Sequence, residues 1–206
     1  MAFYREQVVP RLVDRACGCA GFRHWRAETT SGLRGTVLEI GFGSGLNVDC
    51  YPPDVTRVMA VEPSTTAFRI AKKRIERSQV TIEQVGVDGQ SIPLSDDTCD
   101  SALCTFALCT IPDPGAALAE VRRVLRPGGR LHFLEHGIAP DAGVAKWQRR
   151  FEPVQRRVAD GCHLTRDPVA LANDAGFLTE ALVQRYGRGP KPWCYFTRAV
   201  VVNAAN

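Results

Sequence analysis

The chain has 206 residues, of which 45% are hydrophobic, and a formal net charge of +4; this is enough apolar material for one sizeable core in a single domain. Its Lys and Arg residues are scattered, which argues against a dedicated nucleic-acid surface, and no apolar run approaches the ~20 residues that a membrane-spanning helix needs. No basic stretch leads into an apolar signal core, so the sequence predicts a soluble, cytoplasmic protein.

In chain order, Phe3, Tyr4, Val8, Val9, Leu12, Val13 and Ala16 recur at helical spacing and predict one amphipathic helix over about the first sixteen residues. Such a helix either packs on the domain or covers a ligand site as a lid. Cys17 and Cys19 follow in CGCAG without nearby ligand partners, and the eight cysteines show no paired CxxC spacing. They are expected to be mostly buried, reduced thiols, and no metal site is predicted. A second helical stretch near Phe22 to Thr29 leads to a turn at Ser31 to Gly35. Residues 1–34 therefore read as a helical lid or extension, and 35–206 as the main domain.

The period then changes. Short apolar runs at Val37 to Ile40, Arg57 to Val61, Thr81 to Val85, Ser101 to Phe106 and Arg130 to Leu134 alternate with amphipathic segments, notably Ser64 to Arg77 and Pro114 to Leu125. This is the pattern of parallel strands joined by crossover helices. Asp113 caps the second of these helices, Pro114 suits its first position, and Pro127, Gly128 and Gly129 are expected to stop the chain before the fifth strand. A polar, basic helix is predicted over about Asp141 to Ala159, and another opens at Asp167 and Pro168 and closes at Gly176. Two last runs, Leu178 to Tyr186 and Trp193 to Val202, flank the turn-rich GRGPKP and predict a hairpin. The fold class is α/β: a mostly parallel, seven-stranded sheet with helices on both faces and an antiparallel C-terminal hairpin.

The densest chemical signal is Val37-Leu38-Glu39-Ile40-Gly41-Phe42-Gly43-Ser44-Gly45, a strand running into glycines. Gly41, Gly43 and Gly45 permit a sharp turn and close approach of a ligand, at the strand ends where open α/β sheets bind ligands. Glu62, at the end of the second run and followed by Pro63, is placed to accept hydrogen bonds from both hydroxyls of a ribose, although it equally suits the cap of the next helix. Dinucleotide enzymes use GxGxxG; here the spacing is ExGxGxG, and the Glu39 carboxylate would repel a pyrophosphate. A nicotinamide-dependent oxidoreductase is disfavoured on that ground. A nucleoside carrying a cationic amine fits, and S-adenosylmethionine is such a molecule.

Through LEIGFGSG, VEPS, VDGQSIPLSDDTCDSALCTFAL and LRPGGRL the chain resembles the class I S-adenosylmethionine-dependent methyltransferases, from Thr36 nearly to its end. The resemblance implies their Rossmann-like fold and S-adenosylmethionine as cofactor. It also implies that Asp88 holds the adenine amino group, that the backbone of Gly89 meets the ring, that Glu62 and Pro63 form the ribose end, and that Cys104 and Thr105 line the methionine end. The stretch from Glu135 to Phe177, with its EH pair, Trp-containing helix and DGCxLTR block, is similar to the mammalian methyltransferase-like thiol S-methyltransferases. Those relatives carry an N-terminal membrane-anchoring segment with no counterpart in these residues, so membrane residence and a lipophilic acceptor do not carry over.

The expected partner is a small-molecule methyl acceptor, with a thiol preferred. A thiol must become a thiolate to attack, and its free pKa is about 8.5, so a nearby base or positive charge would help. His136 is the first candidate for base or acceptor-positioning group and His163 the second, each against the alternative of a hydrogen-bonded structural histidine. Glu135 is expected to orient an imidazole or a loop amide, or to act directly. Phe3, Tyr4, Trp147, Phe151, Trp193 and Tyr195 are candidate walls of an apolar acceptor pocket. Quinone, phenol or phospholipid-headgroup methylation is the alternative reading, and a cofactor-binding module without turnover is the third. Nucleic acid is not an expected partner; Arg149, Arg150, Arg156 and Arg157 read as a solvated helix face or as a point of weak membrane-surface contact.

Overall fold

In the computed structural model, which describes residues 3–204, the apolar runs become strands at Gly35–Ile40 (β1), Val55–Val61 (β2), Thr81–Gly86 (β3), Cys99–Thr105 (β4), Leu125–His136 (β5), Leu178–Tyr186 (β6) and Tyr195–Val202 (β7). They form one sheet in the order β3-β2-β1-β4-β5-β7-β6. Pairings among β1 to β5 are parallel, while β7 runs antiparallel to both β5 and β6. The predicted edge hairpin is therefore present.

Helices α1 (Val9–Cys17), α2 (Ala20–Thr30), α3 (Thr65–Ile75), α4 (Pro114–Val124), α5 (Ala142–Val158) and α6 (Pro168–Asp174) cover the sheet. Side chains alternate across a strand, and the core divides accordingly. Leu38 and Ile40 of β1 pack in one cluster with Leu118 and Val121 of α4 and Ala172 of α6, whereas Val37 packs in another with Ala71 of α3. A third cluster joins Trp25 of α2 to Leu134 and Phe196. The caps follow the sequence: Asp113 accepts from the Ala116 N–H at 3.0 Å, and Asp167 from the Val169 and Ala170 N–H groups.

Three expectations change. The first helix is divided: a π-helical turn over Tyr4–Val8 precedes α1, and the Val9 N–H reaches the Tyr4 carbonyl five residues back. Pro10 has no N–H to donate and its ring crowds the carbonyl four residues earlier, so the backbone widens there. Met1 and Ala2, also in that predicted helix, lie outside the described residues.

Pro127, Gly128 and Gly129 do not precede the fifth strand but lie within it. Cys99 pairs with Leu125 and Ser101 with Arg130, so the extra residues of β5 are accommodated as a bulge. Gly128 takes φ +76° there, and its N–H donates to the Asn203 carbonyl at 2.7 Å. The last strand begins at Tyr195 because Lys191–Trp193 closes a 3-10 turn after Pro190. No helix among the described residues is long and apolar enough to cross a membrane.

Candidate active site

A cavity of about 700 Å³ opens at the carboxyl ends of the parallel strands, where α/β sheets bind ligands. Gly41 and Gly43 follow β1, Glu62 and Pro63 follow β2, Asp88 and Gly89 follow β3, and Thr105 ends β4; all seven line it. Gly41 has φ +69°, and a Cβ on it would stand 2.3 Å from the Ala107 Cβ. Gly43 has φ +59°, and its nearest neighbour in that direction is the Gly41 carbonyl at 3.8 Å. The first glycine is thus demanded by the fold and the second by the space above the loop.

Glu62 is 6% exposed. Its Oε2 accepts the Gly43 N–H and its Oε1 the Ser64 N–H, both at 2.7 Å. Burial raises its pKa above the usual carboxylate value while these two N–H groups pull it back. Asp88 is exposed at the rim, and its Oδ1 accepts both the backbone N–H and the side-chain amide of Gln90.

Glu39, Gly45 and Cys104 are buried and are not part of the lining. Gly45 packs against Val48, Ala71 and Phe42. Glu39 Oε1 accepts from Asn47 Nδ2 at 2.8 Å, and its Oε2 accepts from the Tyr51 hydroxyl. Burial outweighs these donors and pushes the Glu39 carboxyl up to about 7. Cys104 donates to Glu135 Oε1.

The sequence reading missed Arg26. It is 5% exposed, lies on α2 and lines the cavity. Its guanidinium donates to Asn47 Oδ1 at 2.7 Å and to Thr105 Oγ1 at 2.9 Å, and sits 5.6 Å from the centre of the Phe106 ring. Its Nε is buried and has no partner among the described residues. Burial lowers its pKa, which the nearby acids, Glu39 among them, oppose. Asn47 bridges Arg26 to Glu39, so a buried cation and a buried acid share one network. No local spacing announces it, because Thr105 is 79 residues from Arg26. Phe106, also in the wall, holds φ +55°, a left-handed backbone that bulky residues seldom adopt.

Glu135, His136 and His163 do not line the cavity. Glu135, 1% exposed, accepts the N–H groups of Ala107 at 2.7 Å and Leu108 at 3.0 Å and so fixes the loop after β4. His136 Nε2 lies 3.1 Å from Cys162 Sγ. His163 Nδ1 pairs with Glu152 Oε1 at 3.0 Å, and the His163 backbone N–H donates to the Cys109 carbonyl. The expected aromatic wall is corrected as well: none of Phe3, Tyr4, Trp147, Phe151, Trp193 and Tyr195 lines the cavity. Phe151 instead stacks on Trp147 and packs at a tilt against Trp193, and Phe42 and Phe106 supply the aromatic surface of the cavity. The N-terminal segment does reach the site, through Arg5, Val9, Pro10, Val13 and Cys17.

A methyltransferase-domain family model matches residues 38–133. The chain is 39% identical over 136 residues to the rat thiol S-methyltransferase TMT1B, covering 64% of this chain and 55% of that protein. It is 32% identical over 163 residues to the human thiol S-methyltransferase TMT1A, covering 77% of this chain and 65% of that protein. The chain thus spans less than two thirds of either relative. A solved structure of an S-adenosylmethionine-dependent methyltransferase from Methanosarcina mazei has the same fold, with a TM-score of 0.61 and 21% identity over 83% of this chain and 93% of that one.

Proposed function

The chain belongs to the class I S-adenosylmethionine-dependent methyltransferases, and from that premise we propose that it methylates a small-molecule thiol. The observation that carries the reading is one cavity lined by the glycine loop, Glu62, Asp88 and the buried Arg26. The donor set suits this cofactor, because Arg26 Nε is a buried donor without a partner among the described residues, in the wall where a carboxylate is to be met. Arg26 would hold the methionine carboxylate, Glu62 and Pro63 the ribose, and Asp88 and Gly89 the adenine. When bound, S-adenosylmethionine supplies a methyl group on a sulfonium.

The protein's own work is positioning. Val9, Pro10 and Val13 of α1 line the same cavity as Phe106 and Ile111 and give it apolar surface, which would shield the acceptor from water. In this reading α1 is the lid. Alignment of two reactants is worth roughly 7 to 11 kcal/mol; the acceptor enters as the thiolate fraction set by its free pKa of about 8.5, its proton passing to solvent, so no side chain is assigned as general base. Glu135, His136 and His163 then act as groups that position the loops around the cavity, and Glu39 acts through Asn47 and Arg26. Likeness to two thiol S-methyltransferases supports the acceptor class.

The test is release of S-adenosylhomocysteine with a panel of thiols, phenols, quinols and phosphatidylethanolamine. A thiol turned over fastest is expected. A phenol, quinol or headgroup turned over fastest overturns the thiol reading, and cofactor binding without release from any acceptor reassigns the protein as a binding module.

A further inference from the structure

Beside the cavity lies a second cluster that methyl transfer does not use. Cys109 Sγ, a ring nitrogen of His136 and Cys162 Sγ all lie within 4.8 Å of one another, with His136 Nε2 3.1 Å from Cys162 Sγ. Cys109 and Cys162 are 3% and 7% exposed, and both are free thiols. The three come from separate segments: the loop between β4 and α4, the last residue of β5, and the connection between α5 and α6. We infer that Cys109, His136 and Cys162 together bind one zinc-class divalent cation.

The ligand chemistry is that of zinc, which takes Cys sulfur at about 2.3 Å and His nitrogen at about 2.0 Å in a tetrahedron. Ligand atoms at those distances stand roughly 3.3 to 3.8 Å apart, so small side-chain rotations close the site. Charge favours it too. Two thiolates, one neutral imidazole and a dication sum to zero, the state least costly to bury. Three protein ligands leave the fourth position to water or another small donor. Thr110 follows Cys109, Gly161 precedes Cys162, and both line the cofactor cavity. An ion here would fasten two parts of that wall to the end of β5, adding to the bond from the His163 N–H to the Cys109 carbonyl at 2.8 Å.

The test titrates Zn2+ into the reduced, metal-free protein in competition with a chromophoric chelator. One tight equivalent is expected. Cys109→Ser and Cys162→Ser should each weaken it by more than about 100-fold, because even partners that only orient a metal ligand cost 10- to 100-fold. A Cys17→Ser/Cys19→Ser double variant should keep it. In the wild type, Co2+ should give thiolate-to-cobalt charge transfer and strong tetrahedral d–d bands, a readout that needs no variant to fold. Absence of Zn2+ uptake by the wild type, or uptake unchanged in both single variants, overturns the inference. So does peroxide consumption of the Cys109 and Cys162 thiols at the same rate with and without Zn2+.

Discussion

Gly43 and Glu62 stand at the ends of different strands and are joined by a 2.7 Å hydrogen bond from the glycine N–H to Glu62 Oε2. The other carboxylate oxygen accepts the Ser64 N–H at the start of α3. The acid thus holds the glycine loop and the helix start in one arrangement while facing the cavity.

Glu62→Gln should lower both cofactor affinity and stability, because the amide turns one acceptor into a donor that faces a backbone N–H. Hydrogen bonds to charged groups contribute about 1.5 to 3 kcal/mol, which converts to a roughly 10- to 100-fold loss. Calorimetric titration with S-adenosylhomocysteine, beside a denaturation curve, checks it; unchanged affinity would remove Glu62 from the ribose end.

The two glycines separate fold from binding. Gly41→Ala brings a methyl to 2.3 Å from the Ala107 Cβ at a positive φ and should destabilise the protein by about 2 kcal/mol or more. Gly43→Ala meets only the Gly41 carbonyl at an ordinary 3.8 Å, at φ +59°, so it should cost about 1 to 2 kcal/mol of strain and leave a folded protein that binds cofactor poorly. Equal affinity in Gly43→Ala and wild type would contradict close approach of the ligand to that backbone.

Arg26→Met tests the methionine end. S-adenosylhomocysteine should bind at least about tenfold more weakly, the loss expected for one charge-assisted pair. Methylthioadenosine, which lacks the carboxylate, should bind as it does to wild type. Equal losses for both ligands would mean that Arg26 only supports the wall.

Glu39 carries a pH signature. Its folded-state pKa is about 7 against an ordinary 4.5, so between those values the folded protein holds a proton that the unfolded chain has released. Stability from this group is therefore fully present below about pH 4.5, falls as pH rises toward 7 and levels off above it, by about 3 kcal/mol at most. Glu39→Gln removes the dependence. Denaturation midpoints of the two proteins at pH 5 and pH 7.5 should differ in slope; parallel profiles would contradict the assignment.

The sheet was legible because its evidence is local. Strand alternation, the caps at Asp113 and Asp167 and the hairpin turn each reside in a short window, and so do the glycine loop and Glu62 with Pro63. The misses came from contacts between distant segments or from a competing local rule. Pro127 to Gly129 read as a break, but Asn203 pairs with Gly128 and Gly129 and keeps them in β5. Within the stretch Phe22 to Thr29 no local spacing sets Arg26 apart, and only the fold brings it against Asn47 and Thr105 in the cavity wall. Cysteine spacing directed attention to Cys17 and Cys19, whereas the fold gathers Cys109 and Cys162 around His136.

The central claim, that this cavity aligns a sulfonium methyl with a thiol, is tested most directly with S-adenosylmethionine carrying an isotopically labelled methyl group and a small thiol in excess. The label should appear in the thioether, with one S-adenosylhomocysteine formed per methylated thiol, and the yield should fall in Glu62→Gln and Arg26→Met. Cofactor that binds in the cavity while no label reaches any thiol would contradict it.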